Sequence, residues 1–171
     1  MQEEFGKIVF SGLRGKRHLG LLLLCMVTFL FTFLTPIIHA ELPTPVDGTW
    51  TYQYTSFVPT KQASGNTFVP VTESATWVGD FMGTSTMEIS GMIHADGSIN
   101  FKGVIYFDGS VLGEDGTLNI SYNGRVSASG EVSCSWVIKS GTDELSALHG
   151  QGTYSGTGFT LDYSGNIHFD P

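Results

Sequence analysis

From Trp50 to Phe169, apolar side chains recur at every second position, and glycine-containing turn pairs interrupt the runs every 10–16 residues. This period matches a strand, whose successive side chains point to opposite faces, and not a helix. Trp50, Tyr52 and Tyr54 share a face; so do Ile99, Phe101, Ile105 and Phe107, and again Leu118, Ile120 and Tyr122. Phe159, Leu161, Tyr163, Ile167 and Phe169 line the last run, with Thr160, Asp162, Ser164, Asn166 and His168 on the other side. The pattern predicts eight strands, near 48–58, 68–80, 84–95, 98–112, 117–128, 130–139, 151–156 and 159–169. Turns are expected at Ser64-Gly65-Asn66, Asp96-Gly97, Asp115-Gly116, Ser129-Gly130 and Thr157-Gly158. One apolar and one polar face per strand implies an antiparallel sheet closed around its own core, so the fold class is an all-β, eight-stranded barrel. Gly103, Gly109 and Gly165 interrupt apolar stripes, as bends in a barrel wall do. Asp143 to Leu148 reads as the one helical turn, capped by Thr142, with Leu145 and Leu148 against one barrel end.

Ahead of this domain lies a near-unbroken apolar run, Leu19 to Ile38, preceded by Lys7, Arg14, Lys16 and Arg17. A basic start, an apolar centre and a small residue at its end make a secretory signal, with the cut expected between Ala40 and Glu41. The alternative is an uncleaved anchor, since twenty helical residues span about 30 Å. Either way the segment 1–40 puts the barrel outside the cytoplasm, and membrane contact is expected only through residues 19–38. Residues 41–47 contain Pro43 and Pro45 and are expected to form an extended leader, leaving 48–171 as one barrel domain. From residue 41 onward there are 4 basic and 14 acidic residues, a formal charge of −10. Such a surface repels nucleic acid and anionic lipid, so neither is an expected partner. Cys134 alternates with serines beside Val132, Trp136 and Ile138, which predicts a small buried hydrophobe.

The C-terminal third carries Trp136-Val137-Ile138-Lys139-Ser140-Gly141-Thr142-Asp143-Glu144-Leu145-Ser146-Ala147-Leu148-His149-Gly150-Gln151-Gly152. It is similar to the motif W-x-V-x-x-G-S-G-T-G-E-L-x-G-L-R-G-x-G of the bacterial domain of unknown function 3224. Phe159-Thr160-Leu161-Asp162-Tyr163 resembles that family's closing Y-T-L-D-Y, and Gly79-Asp80, Asp96-Gly97-Ser98, Phe101 and Gly103 fall in matching order. The resemblance covers residues 48–170 and implies the eight-stranded barrel of allene oxide cyclases and dirigent proteins. It implies no particular reaction, because barrel shape does not set chemistry. The chain departs from the family at several positions: Ala147 and Asp143 each replace a glycine, His149 an arginine, and Ile105-Tyr106 a Glu-Arg pair. The export segment is a further departure, as most relatives look cytosolic.

Eight strands enclose either a filled core or room for one small ligand. The leading expectation is a barrel that binds a small apolar or amphipathic molecule in a cavity lined by Tyr52, Tyr54, Phe101, Phe107, Trp136 and Tyr163. An isomerase or cyclase using a barrel carboxylate is the first alternative. A solid interaction module, self-associating through its outer face or rim as shape relatives do, is the second. Glu73 is the foremost carboxylate, because it interrupts the apolar face Val69-Val71-Glu73-Ala75-Trp77. Glu88 matches a family glutamate, yet its face holds Thr86, Ser90 and His94. His94, His149 and His168 have no metal-pair spacing, so neither a metal nor another cofactor is expected.

Overall fold

The computed structural model describes residues 42–171. The expected cut between Ala40 and Glu41, and the apolar run Leu19–Ile38, lie outside the described residues. The described residues fall within one compact unit of the chain. Its strands are β1 (Thr44–Phe57), β2 (Lys61–Ala63), β3 (Asn66–Gly79), β4 (Phe81–Ile93), β5 (Ile99–Val111), β6 (Glu114–Val126), β7 (Glu131–Gly141), β8 (Leu148–Thr157) and β9 (Thr160–Phe169). All pairings are antiparallel, in the order β1-β9-β8-β7-β6-β5-β4-β3-β2, and β1 also pairs with β3. That second pairing closes eight strands into a barrel and leaves β2 as a short extension of the β3 hairpin.

The strands begin and turn where local chemistry allows, and several boundaries differ from the sequence reading. Thr44 to Asp47 of the expected leader already belong to β1, paired with β9, and Val46 is buried in the core. Proline is tolerated at such a strand start. The β5–β6 hairpin turns at Leu112-Gly113, with φ of +54° and +96°, and not at Asp115-Gly116. Two left-handed residues in succession form the tight turn whose twist suits a hairpin. Gly116 stands instead inside β6, where a Cβ would run into Thr142 O and Leu145. A single 3-10 turn, Asp143–Leu145, lies over that glycine and seals this end with Leu145 and Leu148. Thr142 does not cap it; its hydroxyl bonds Thr117 and Asp143 side chains instead. Ser64-Gly65 makes the β2–β3 turn, and Asp96 Oδ1 accepts from both the backbone N–H and the hydroxyl of Ser98 in the β4–β5 turn.

Alternation decides which residues face inward. Val69, Val71, Glu73, Ala75 and Trp77 of β3 are all buried, as are Val132, Cys134, Trp136 and Ile138 of β7. The half of the barrel nearer the 3-10 turn is solid. Trp77, Phe81, Phe107 and Tyr163 meet there with ring centroids 5.4–5.7 Å apart. Edge-to-face and tilted aromatic pairs at such spacing stabilise a core beyond their area burial. The Tyr163 hydroxyl accepts from Phe81 N–H at 2.8 Å, and Trp77 Nε1–H donates to the buried Ser85 hydroxyl at 2.9 Å. Trp136 lies flat against Gly152 and Gly165, where any Cβ would overlap its indole ring.

Gly165→Ala is therefore expected to cost about 1–3 kcal/mol through overpacking. Ser164→Ala, on the exposed side of the same strand, is expected to stay within about 0.5 kcal/mol. Urea unfolding of both variants checks the pair.

Candidate functional site

The opposite half of the barrel is not filled. A cavity opens there between the β2–β3, β4–β5, β6–β7 and β8–β9 turns. Its wall is built from the inward residues of β1, β3, β4, β5, β6, β7 and β9. Small or short side chains keep it open: Gly91, Val69, Val71, Val126, Val132 and Cys134 line it along with Ile89, Ile93, Ile99 and Leu161. Aromatic residues supply the rest, namely Trp50, Tyr52, Tyr54, Phe57, Phe101 and Tyr122. The cavity measures about 70 Å³. Small-molecule sites usually fall in the range of about 300–1,000 Å³. The cavity lies below that range and takes a small group, such as the head of a larger molecule.

Glu73 is the one charged residue in this wall. It sits in the middle of β3, opposite Tyr54 of β1 and Met87 of β4. A bulge in β1 between Tyr54 and Ser56 shifts the register beside it. Bulges of this kind re-aim a side chain and often adjoin functional sites. The residue is only 6% exposed, and no described residue hydrogen-bonds its carboxyl group. Burial pushes its pKa up to about 7, because the apolar wall disfavours the charged form. The phenols of Tyr52, Tyr54 and Tyr122 are raised by their own burial and, in addition, by the negative charge of Glu73. The Tyr122 hydroxyl and the Trp50 indole N–H are buried without a partner. The Tyr154 hydroxyl, outside the cavity wall, is a third such group; the lone carboxyl inside the cavity is the one that calls for an explanation, since buried charges are nearly always paired.

The sequence-derived candidates separate along the barrel axis. Tyr52, Tyr54 and Phe101 line the cavity with Glu73. Phe107, Trp136 and Tyr163 do not; they lie deeper, in the packed half, and touch other rings there. Glu88 is exposed on the outer surface of β4, so its carboxyl group does not enter the barrel. Phe159, expected to line β9, sits in the β8–β9 turn, 57% exposed. Its ring packs edge-on against Tyr52 and Tyr54 at 5.5 and 6.0 Å and forms part of the rim. Cavity residues that sequence reasoning missed include Trp50, Phe57, Gly91 and Tyr122. Alternation marks most of them as inward, but depth along the axis has no sequence signal.

The remaining candidates resolve as structure. His94 is bridged by Asn66 at 3.0 Å and Asn100 at 2.9 Å beside the β4–β5 turn. His149 and His168, apart in sequence, are cross-strand partners with stacked rings 5.6 Å apart, and Asp170 lies 3.1 and 3.5 Å from their Nε2 atoms. Among the described residues no group of three or more His, Cys, Asp or Glu is arranged to hold a metal ion. Burial pushes the Cys134 thiol up to about 12, which keeps it a neutral, unreactive wall group.

The Glu73 pKa has a thermodynamic consequence. Its ordinary value of 4.5 rises to about 7 on folding. The native state thus holds a proton that the unfolded chain releases between these values, and stability falls as pH rises through that window. Glu73→Gln removes the effect. Relative to the wild type, the variant is expected to gain up to about 3 kcal/mol in stability on going from pH 4 to pH 8. Denaturant unfolding of both proteins at the two pH values measures it; a pH-independent difference contradicts the burial of an ionising Glu73.

A solved structure of similar fold is that of a DUF3224-family protein of unknown function from Shewanella oneidensis MR-1. It matches 76% of this chain and 99% of its own at a TM-score of 0.66 and 19% identity, a likeness of fold alone. The search among curated proteins matched none. Residues 46–164 match the sequence profile described as "Protein of unknown function (DUF3224)", a span that runs from the first core residue of β1 into β9. The chain belongs to the DUF3224 family.

Proposed function

We propose that the barrel binds one small molecule, mainly apolar, with its polar end seated at Glu73. The observation that carries this reading is a cavity open at one barrel end, walled by aromatic and aliphatic side chains, with a single unpartnered carboxyl group inside. A barrel used only as a solid module has no need to retain that carboxyl, which costs stability above neutral pH. Convergent polar groups in an apolar pocket are the usual form of a ligand site. The half-exposed rings of Tyr54, Phe57 and Phe159 around the mouth supply a surface for the ligand's body. Binding outside the cytoplasm forms part of the proposal, on the strength of the apolar segment Leu19–Ile38 behind its basic start.

Proton-transfer catalysis, as in an isomerase, is the second reading. It is favoured by one observation, the pKa of Glu73 near 7, where a carboxyl group both takes and gives a proton at neutral pH. Both readings use the same cavity, and they differ in whether the bound molecule leaves changed.

Gly91 offers a clean test. It faces inward between Val69 and Phe101, and a Cβ there would have Val69 O as its nearest neighbour, at 3.3 Å. Gly91→Val adds a β-branched side chain that suits a strand and fills the cavity. The barrel purified from a bacterial envelope is expected to show bound mass by native mass spectrometry, lost on denaturation and absent from the folded Gly91→Val variant. Polypeptide mass alone in the wild type counts against binding and favours a solid module.

A further inference from the structure

The cavity also states the charge its ligand should carry. Of the residues from 42 onward, the basic ones are Lys61, Lys102, Arg125 and Lys139; all are exposed, and none lines the cavity. Glu73 is thus buried in a wall with no cation to pair with. Buried charges are normally paired, and a lone one is retained at a cost. The groups that face it are Tyr52 and Tyr54 from β1, Met87 from β4, Tyr122 from β6 and Cys134 from β7. Phenols and thiols are neutral or negative and never cationic, so none supplies the missing positive charge, and burial holds these in the neutral form.

The rest of the wall points the same way. Trp50, Tyr52, Tyr54, Phe57, Phe101 and Tyr122 present aromatic rings to the same space as the carboxyl group. Ring faces are negative and attract cations, most strongly where water is excluded. An anionic ligand meets repulsion from the carboxylate and from the rings. The protein's own field adds to this: 14 acidic against 4 basic residues from residue 41 onward draw cations toward the domain and keep anions away.

Building on the binding reading above, we propose that the ligand is an organic cation, a primary amine on a small apolar or aromatic body. An ammonium group has three donors and no acceptor. The two oxygens of Glu73 are the charged acceptors that the cavity wall holds for it. The rings around the mouth cover the methylene carbons next to the nitrogen and the body beyond.

The pH dependence follows from which form of Glu73 the amine needs. An ammonium pairs with the carboxylate, so binding must first remove the proton that burial retains. Affinity therefore rises with pH up to about 7 and levels off above it, until the amine itself loses its proton. A neutral ligand that accepts a hydrogen bond from protonated Glu73 shows the opposite trend.

The test uses the described barrel, residues 42–171, whose closed sheet and core are complete within those residues. Calorimetric titration with benzylamine, benzyl alcohol and benzoate at pH 6 and pH 8 holds the body constant and varies the head group. Benzylamine is expected to bind at least tenfold more tightly than the other two at pH 8. Its affinity is expected to fall about tenfold at pH 6, in line with a carboxyl group titrating near 7. In Glu73→Gln, checked for folding by circular dichroism, the preference for the amine disappears while benzyl alcohol binds as before. If benzyl alcohol or benzoate binds the wild type as well as benzylamine does, the cation proposal is overturned and the binding reading stands. If none of the three binds, both fall. The wild-type pH comparison decides the matter even where the variant fails to fold.

Discussion

Pairing of β1 with β9 on one side and β3 on the other creates an inside, and everything else in the molecule depends on having one. Without that closure the sheet would have two long edges and two faces, both open to water. With it, each strand's alternation becomes a division between interior and exterior. Glu73 is buried and Glu88 exposed for no other reason than that one falls on the inward phase of β3 and the other on the outward phase of β4. Thr72 and Glu88 face each other across the ladder, as do Glu73 and Met87, so a slip of one residue would exchange their roles.

The interior is unequal along its axis, and that inequality makes a site out of a core. At one end, large rings fill the barrel to contact, and glycines in the wall make room for them: Gly152 and Gly165 under Trp136, Gly48 and Gly79 beside Tyr163. The Asp47 backbone N–H donates to the Asp80 carboxylate at 2.8 Å, and Asp80 N–H donates to Asp47 O, which ties the start of β1 to the β3–β4 corner. At the other end, valines, isoleucines and Gly91 occupy the inward positions and leave space. The solid half supplies rigidity, and the open half rests on it. A binding group placed on strands of such a barrel is held more firmly than one carried on a loop.

An unpaired carboxyl in an apolar wall works against the fold that holds it. The burial that raises its pKa also removes stability as pH rises toward neutrality. Proteins retain such groups where function needs them, and stability is commonly lower at those positions. The orphan hydroxyl of Tyr122 and the orphan N–H of Trp50 add to the same cost in the same place. Cys134, by contrast, imposes little: it packs as a small apolar group, with its thiol directed to Ser135 O at 3.4 Å.

How much was legible in the chain can be judged residue by residue. Period-two alternation from Trp50 onward marked the eight barrel strands and the antiparallel class, and put Glu73 in phase with the apolar residues of its strand, because a strand's pleat alternates its side chains between two faces. Turn residues were less reliable. Asp115-Gly116 has the composition of a hairpin, yet the chain turns at Leu112-Gly113, and Gly116 is needed where the 3-10 turn presses on β6. Tyr52 and Tyr163 carry the same inward signal, but the first lines the cavity and the second lies in the packed half. His149 and His168 stand far apart in sequence and stack across two strands. Alternation is local and survives in sequence. Depth along the barrel, register between strands and the unfilled volume depend on how strands distant in the chain are staggered, and only the tertiary structure decides that.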